Sequence, residues 1–163
     1  MLSERVILSG LLDLGIVKGD LEEMIEKRVG FLFMPHGLGH FIGLDTHDVG
    51  GYLPKDPPRI LKPGLKNLRT ARILKEGMVI TVEPGCYFID FLLQGKAPVD
   101  IDTSNINLEL ALEYREEVAG VRIEDNVVVR KDNAELLTKV PRGVKQIEAC
   151  MRGEEWEHIK EEY

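Results

Sequence analysis

The sequence predicts an α+β fold, in which helices and β-strands occupy different stretches of one chain. Apolar residues recur at helical spacing within residues 3–30, whereas segments 77–88 and 120–130 are rich in β-branched residues. A chain of 163 residues can bury roughly 70% of the surface that it exposes when unfolded. We therefore expect one compact domain, or a piece of a larger one.

Two helices are expected at the start of the chain. Residues 3–14 carry apolar side chains at near-helical intervals, and Ser3 is a candidate N-cap. A second helix is expected from Asp20, with acidic residues in its first turn. Lys27 and Arg28 are expected in its last turn, because this order of charges suits the helix dipole.

Strands and an irregular loop are expected next. Residues 31–35, FLFMP, form a short apolar run that predicts a buried strand ended by proline. Residues 50–66 contain four prolines and three glycines, which predicts an irregular surface loop. The strong strand at 77–88 is expected to break at Pro84.

The segment 120–130 predicts a second strong strand, because its residues alternate with period two. One face carries Val121, Ile123, Val127 and Val129, and the opposite face carries Arg122 and Glu124. A helix is expected near 105–117 with Ser104 or Asn105 as its cap.

Beyond residue 133, the residues AELLTKV predict a short strand, and a last helix is expected with Pro141 at its first position.

Composition limits the function classes. A net charge of −7 argues against a nucleic-acid or anionic-membrane partner, since either would require a basic face. The two cysteines lie far apart and form no CxxC pair, which favours a reduced, intracellular pair over a disulfide. No apolar run approaches the ~20 residues of a membrane span, and the start does not resemble a signal peptide. A cytoplasmic location is therefore expected.

The segment 36–48, HGLGHFIGLDTHD, holds three of the four histidines. His36 and His40 have the spacing of two ligands on one helical face, but Gly37 and Gly39 between them disfavour a helix. No glutamate follows His36, so this is not the helical zinc-protease motif. The segment is expected to be extended, either as a metal-binding and catalytic loop or as a Gly-rich turn with solvated histidines.

Two glutamates favour the first of these alternatives. Glu83 ends an apolar strand, and Glu124 lies within the second strong strand. A carboxylate buried beside such strands is costly unless a cation or good hydrogen bonds satisfy it. One imidazole and several carboxylates form a hard donor set, which favours Mn²⁺ or a similar divalent ion.

Five stretches resemble, in this order, the C-terminal part of the prolidase (Xaa-Pro dipeptidase) family of pita-bread metallopeptidases: FMPHGLGHFIGLDTHDVGGY, LRTAR, GMVITVEPGCYF, GVRIEDNVVV and ELLTKVPRGVKQIEACM. The resemblance covers nearly all of residues 3–152. It implies that residues 1–152 are the second half of a pita-bread catalytic domain, an antiparallel curved sheet flanked by helices. Residues 153–163 are then a charged C-terminal tail.

The resemblance implies a dinuclear site that holds two divalent ions, Mn²⁺ in our expectation. His40 matches its single histidine ligand. Glu83 matches a carboxylate ligand that also shuttles the proton of the metal-bridging hydroxide, and Glu124 matches the carboxylate that bridges both metals.

The resemblance also implies residues that face an Xaa-Pro dipeptide. His47 matches the histidine that stabilises the scissile carbonyl and its developing oxyanion. His36 matches a histidine that lies either just behind the metal ligands or on the substrate side. Arg69 matches the arginine that holds the dipeptide carboxylate. Arg122 matches an arginine beside the bridging glutamate.

The two aspartate ligands of such a site have no match in the sequence. Asp13 and Asp20 lie on the wrong elements, and Asp45 and Asp48 belong to the loop structure. We therefore expect a fragment with three of five metal ligands, which binds one ion weakly or none and is inactive alone.

Other readings remain open. The chain could be a non-catalytic pita-bread interaction module or a truncated gene product. A stand-alone cupin-like metal protein is disfavoured by the ordered motifs. The full-length protein is expected to be a homodimer.

Overall fold

A computed structural model describes residues 1–159 and shows five helices and five strands in that range, which confirms the α+β class. The helices are α1 (Leu2–Asp13), α2 (Leu21–Glu26), α3 (Asp90–Leu93), α4 (Leu108–Glu117) and α5 (Val144–Met151). The strands are β1 (Val79–Val82), β2 (Gly85–Tyr87), β3 (Gly120–Arg122), β4 (Asp125–Val129) and β5 (Ala134–Leu136). Short 3-10 helices span Val29–Leu32 and Leu65–Asn67.

The strands form two antiparallel sheets, one with the order β1-β4-β5 and one that pairs β2 with β3. The two sheets are consecutive parts of one interrupted ladder. On one side of the interruption Val82 pairs with Asp125, and on the other side Gly85 pairs with Arg122. Residues 83–84 and 123–124 therefore face each other across the gap. This interruption brings Glu83 and Glu124 to neighbouring positions.

Pro84 accounts for half of the interruption. Proline has no backbone N–H and cannot donate a hydrogen bond to the neighbouring strand. Its carbonyl still accepts a hydrogen bond from the backbone N–H of Ile123, at 3.2 Å. The break that the sequence predicted at Pro84 is confirmed, and the facing strand breaks at the same level.

The main apolar core lies between helices α1 to α4 and the 3-10 helix Val29–Leu32. It includes Leu8, Ile16, Met24, Phe33 and Leu93. The rings of Phe33 and Phe88 meet edge to face, with centroids 5.9 Å apart. This contact packs the helical part of the core against Phe88, the residue that directly follows β2.

The starts of the first two helices differ in how well local signals predicted them. Helix α1 begins at Leu2 with Met1 at the cap position, so the expectation of a Ser3 cap was wrong. Helix α2 begins as predicted, because the Asp20 side chain accepts a hydrogen bond from the backbone N–H of Glu23, at 2.9 Å.

The end of α2 was predicted wrongly. The helix stops at Glu26, so Lys27 and Arg28 do not form its last turn. Arg28 adopts a left-handed conformation with φ of 65°. Its guanidinium is buried in an ion pair with Glu4, and this tertiary contact outweighs the small gain from the helix dipole.

The expectation of a strand at FLFMP was also wrong. The segment overlaps the 3-10 helix, in which the backbone N–H of Phe33 bonds to the carbonyl of Gly30 at 3.2 Å. The segment is buried as expected, but a short continuous apolar run does not distinguish a strand from a buried helical turn.

Later boundaries moved by a few residues. Helix α4 is capped by Asn107, whose side chain accepts from the backbone N–H of Leu110, so neither Ser104 nor Asn105 is the cap. Helix α5 begins after Gly143, and Pro141 lies outside it, contrary to expectation. Strand β5 confirms the short strand predicted beyond residue 133.

The continuous apolar face that the sequence predicted for segment 120–130 is interrupted. Val127 is buried, but Val121 and Ile123 are 52% and 48% exposed. The alternation fails because residues 123–124 leave the ladder between β3 and β4.

The predicted charged tail is described in part. Turns lie at residues 152–153 and 157–158, and the side chain of Gln146 in α5 donates to the carbonyl of Ile159, at 2.8 Å. Residues 160–163 lie outside the described range. Within the described range, no helix is long and apolar enough to cross a membrane.

Both cysteines are free thiols, and they are expected to react at different rates. Burial raises the pKa of Cys86 to about 11, whereas Cys150 is exposed. At about pH 8 only on the order of one Cys86 in a thousand is then a thiolate, the form that reacts. Iodoacetamide labelling followed by mass spectrometry should modify Cys150 first. Equal rates at the two cysteines would contradict this expectation.

Candidate metal centre

The first part of the histidine segment, residues 38–41, is extended and lies alongside β1, whereas residues 43–47 bend away from an extended course. Its residues form no helix, and Phe41 makes a bridge with Ile80. The backbone N–H of Glu83 donates to the carbonyl of Leu38 at 2.7 Å, and that of Thr81 donates to the carbonyl of His40 at 2.9 Å. The segment therefore continues the sheet and carries His40 to Glu83.

Gly39 makes this approach possible. A β-carbon at this position would lie 1.9 Å from the carbonyl oxygen of Thr81 and 2.9 Å from its carbonyl carbon. Both atoms belong to the backbone of β1, so they cannot move aside as a flexible side chain would. Gly39 thus allows the histidine segment to pack closely against β1.

Three side chains converge beside the strand interruption. His40, Glu83 and Glu124 each offer a ligand atom, and these atoms all lie within 4.8 Å of one another. His40 and Glu83 are buried, and Glu124 is exposed. Within residues 1–159 this is the one group of three or more such side chains that could hold a metal ion.

The orientation of His40 leaves one ring nitrogen for a metal. Its Nδ1 lies 2.8 Å from the carbonyl oxygen of Phe41 and donates to it, which fixes the tautomer. Its Nε2 then presents a lone pair to Oε1 of Glu83, at 3.3 Å. Two lone pairs at this distance repel each other unless a proton or a metal ion lies between them. The donor chemistry therefore fits a divalent cation.

A cavity of about 290 Å³ opens beside these ligands. Its lining includes His36, His47, Arg69, Glu83 and Arg122. The ring of His47 meets the ring of His40 edge on, with centroids 4.4 Å apart. The structure thus brings the residues predicted to face a substrate to the cavity that borders the predicted metal ligands.

Arg69 is available for an anionic ligand. In the described part of the chain, its guanidinium makes no hydrogen bond or ion pair. Gly50 packs closely against its backbone, since a β-carbon at Gly50 would lie 2.2 Å from the Arg69 carbonyl oxygen.

Arg122 is tied to three groups of the site. Its Nε donates to the hydroxyl of Tyr87 at 2.6 Å, one terminal nitrogen lies 3.1 Å from Oε2 of Glu83, and the other lies 3.2 Å from Nε2 of His36. The hydrogen bond to Tyr87 is the main cause that raises the pKa of Arg122, and the charges of Glu83 and Glu124 add to it. Arg122 was expected beside Glu124, whose charge does act on it, and its ion pair is with Glu83.

The same network defines the state of His36. An arginine nitrogen has no lone pair, so Nε2 of His36 must accept the proton from Arg122. Its Nδ1 then donates to the carbonyl of Gly37, at 2.7 Å. The Tyr87 hydroxyl lies 3.0 Å from the same Nε2. His36 is therefore a neutral, fixed ring at the wall of the cavity.

Reasoning from the sequence missed Tyr87 and Thr81. Tyr87 lies in β2 and joins His36 to Arg122, but nothing in its local pattern distinguishes it from a packing residue. Thr81 carried a usable signal, because it is the one polar residue in the apolar run of β1.

The fold and the site are those of a metallopeptidase family. Residues 13–131 match the model of metallopeptidase family M24, and the chain belongs to this family. It is 51% identical over 152 residues to the Xaa-Pro dipeptidase of Homo sapiens, which covers 93% of this chain and 30% of that protein. It is 44% identical over 149 residues to a probable Xaa-Pro aminopeptidase of Botryotinia fuckeliana, covering 91% of this chain and 31% of that protein.

Solved structures show the same similarity. Pseudomonas aeruginosa aminopeptidase PepP superposes with a TM-score of 0.60 at 35% identity, covering 92% of this chain and 27% of that one. Zinc-substituted Escherichia coli aminopeptidase P in complex with product has a TM-score of 0.60 at 34% identity, with the same coverage. These neighbours confirm the predicted pita-bread fold. The chain spans about 30% of the length of the curated relatives that it matches.

Proposed function

We propose that this chain is part of the catalytic domain of a metal-dependent Xaa-Pro dipeptidase. The observation that carries the proposal is the convergence of His40, Glu83 and Glu124 beside a cavity lined by His47 and Arg69. The relatives, an Xaa-Pro dipeptidase and a probable Xaa-Pro aminopeptidase, support a substrate with proline in second place.

The metal would be held by His40, Glu83 and Glu124 from this chain. A hard donor set of one imidazole and two carboxylates supports Mn²⁺, and a zinc-substituted relative supports a divalent ion. Divalent ions bound there would lower the pKa of a water molecule enough to supply hydroxide near neutral pH. Two aspartates that complete a site for two such ions have no counterpart among the converging residues.

The residues around the ligands have distinct tasks in this proposal. Glu83 accepts the proton of the attacking water and returns it to the leaving amine, acting as general base and then general acid. The Arg122 guanidinium, 3.1 Å from Oε2, holds the carboxylate in place for this exchange. His47 donates to the scissile carbonyl oxygen, where negative charge develops.

Arg69 supplies the binding of a dipeptide. Its guanidinium, which has no hydrogen-bond or ion-pair partner among residues 1–159, can form two parallel hydrogen bonds with the free carboxylate of the substrate. His36 also lines the cavity, where it would contact the proline ring, and the Tyr87 hydroxyl lies 3.0 Å from its Nε2. A cation in the same cavity as Glu83 favours a short substrate whose carboxylate ends close to the scissile bond.

The 163-residue chain alone is expected to hydrolyse no Gly-Pro in the presence of Mn²⁺, because three ligands do not organise two metal ions. The release of free proline, measured over hours at high protein concentration, checks this. Turnover at a rate typical of enzymes, at or above about 1 per second, would contradict it.

Binding of Co²⁺, followed by its visible absorption and by calorimetry, tests the metal centre itself. We expect His40→Ala to weaken binding by at least about tenfold. His158→Ala is the matched control, since His158 lies outside the converging group. Equal affinity of His40→Ala and the parent chain would contradict the metal centre and favour a non-catalytic interaction module.

Further parts of the proposal concern the whole protein. The free thiols Cys86 and Cys150 support a reducing compartment such as the cytoplasm. We also propose that the full-length protein is a homodimer. The chain divides, in this proposal, into residues 1–152 and a tail at residues 153–163.

A further inference from the structure

Thr81 is the most deeply buried polar residue beside the metal centre. It lies in β1 and is 1% exposed, less than His40 or Glu83. A buried hydroxyl costs free energy unless it finds hydrogen-bond partners. The partners of Thr81 therefore explain why a hydroxyl occupies this position.

Both partners of the Thr81 hydroxyl belong to metal ligands. Its Oγ1 accepts a hydrogen bond from the backbone N–H of His40, at 2.9 Å. The same oxygen lies 3.1 Å from Oε1 of Glu83 and 3.5 Å from the carbonyl oxygen of His40. A hydroxyl has one proton to donate, and the shorter distance assigns that proton to Glu83.

We propose that Thr81 is a positioning residue that sets the relative placement of His40 and Glu83 in the metal centre. This inference rests on the proposed metal centre and adds the element that preorganises it. One hydroxyl spans the backbone of one ligand and the side chain of the other, so the two ligands are held as a unit.

The second oxygen of Glu83 is held from the opposite side. Arg122 lies 3.1 Å from Oε2, while Thr81 donates to Oε1. With both oxygens bonded, the carboxylate cannot rotate about its last torsion without losing a hydrogen bond. Oε1 therefore stays directed at Nε2 of His40, and less conformational entropy is lost when a metal binds.

A valine at position 81 tests the inference, because it keeps the branched shape and removes only the hydroxyl. We expect Thr81→Val to weaken Co²⁺ binding by about 10–100-fold, the effect typical of groups that orient metal ligands. Thr81→Ser keeps the hydroxyl and should bind Co²⁺ within about threefold of the parent chain. Calorimetry gives the affinities, and urea unfolding without metal gives the stability of each variant.

Thr138→Val is the matched control. The Thr138 hydroxyl also donates to a carboxylate, that of Asp125 at 2.5 Å, but Asp125 is outside the converging group. This control should keep the Co²⁺ affinity of the parent chain. If Thr81→Val and Thr138→Val lower the Co²⁺ affinity equally, the loss is a general effect of removing a threonine hydroxyl. That result would overturn the inference.

The remaining outcomes separate this inference from the proposed function. Parent-like Co²⁺ affinity of Thr81→Val overturns the positioning role and leaves the metal centre standing. Because three ligand atoms already lie within 4.8 Å of one another, weak binding of one Co²⁺ ion is expected of the parent chain rather than none. Absence of Co²⁺ binding in the parent chain therefore overturns the metal centre, and the inference with it. If Thr81→Val does not fold, NMR of the parent chain decides: a slowly exchanging Thr81 hydroxyl proton close to the Glu83 side chain supports the inference, and its absence overturns it.

Discussion

Replacing Arg28 by methionine is expected to lower the free energy of unfolding by about 3–5 kcal/mol. The side chains of Arg28 and Glu4 are each 5% exposed, and two guanidinium nitrogens bond to both carboxylate oxygens. The guanidinium also donates to the carbonyl of Pro63, with Nε at 3.2 Å and a terminal nitrogen at 2.8 Å. Methionine has a similar length but leaves the Glu4 carboxylate buried without a countercharge. Urea unfolding followed by circular dichroism measures the loss.

Helix α1, which carries Glu4, also offers a matched control. Arg5 forms a two-point ion pair with Glu22, but both side chains are exposed to solvent. Arg5→Met should leave the unfolding midpoint almost unchanged, since exposed pairs contribute little. The double variant Glu4→Leu/Arg28→Met should recover much of the stability, because it removes the buried charge. Equal effects of Arg28→Met and Arg5→Met would contradict the argument.

Gly39→Ala is expected to damage both the fold and the metal centre. Its β-carbon would lie 1.9 Å from the carbonyl oxygen of Thr81, so the two backbones must separate. Overpacking of this kind costs about 1–3 kcal/mol of stability. The displacement moves His40 away from Glu83, and we expect at least a tenfold loss of Co²⁺ affinity, on the order of the effect of disturbing a ligand's orientation. Calorimetry and urea unfolding on one preparation measure both effects.

Gly10→Ala is the control, and it is expected to raise the stability rather than lower it. Gly10 lies within α1, and a β-carbon there meets no atom within 4 Å. Alanine favours the helix over glycine, so stability should rise by about 0.5–1 kcal/mol and Co²⁺ binding should not change. Parent-like stability and Co²⁺ binding of Gly39→Ala would show that the close approach of the histidine segment to β1 is not required.

Local patterns predicted the elements whose signals act over a few residues. The Asp20 cap, the break at Pro84 and the β-branched strands are each decided by neighbours along the chain. The non-helical form of the histidine segment follows from its glycines, and the structure agrees.

Elements decided by distant contacts were predicted wrongly. Helix α2 ends early because Arg28 turns back to Glu4. Segment 120–130 leaves its ladder at residues 123–124, where Pro84 interrupts the facing strand. In both cases the deciding partner lies more than twenty residues away, outside the reach of any local pattern.

The candidate site divides in the same way. The donor types, an imidazole and two carboxylates, are visible in the amino-acid sequence, and so is the ordered similarity to a metallopeptidase family. Tertiary structure alone decides that Arg122 pairs with Glu83 and that the Thr81 hydroxyl joins two ligands. The physical reason is that ligand chemistry resides in single side chains, whereas hydrogen bonds and ion pairs depend on atoms that only folding brings within about 3 Å of each other.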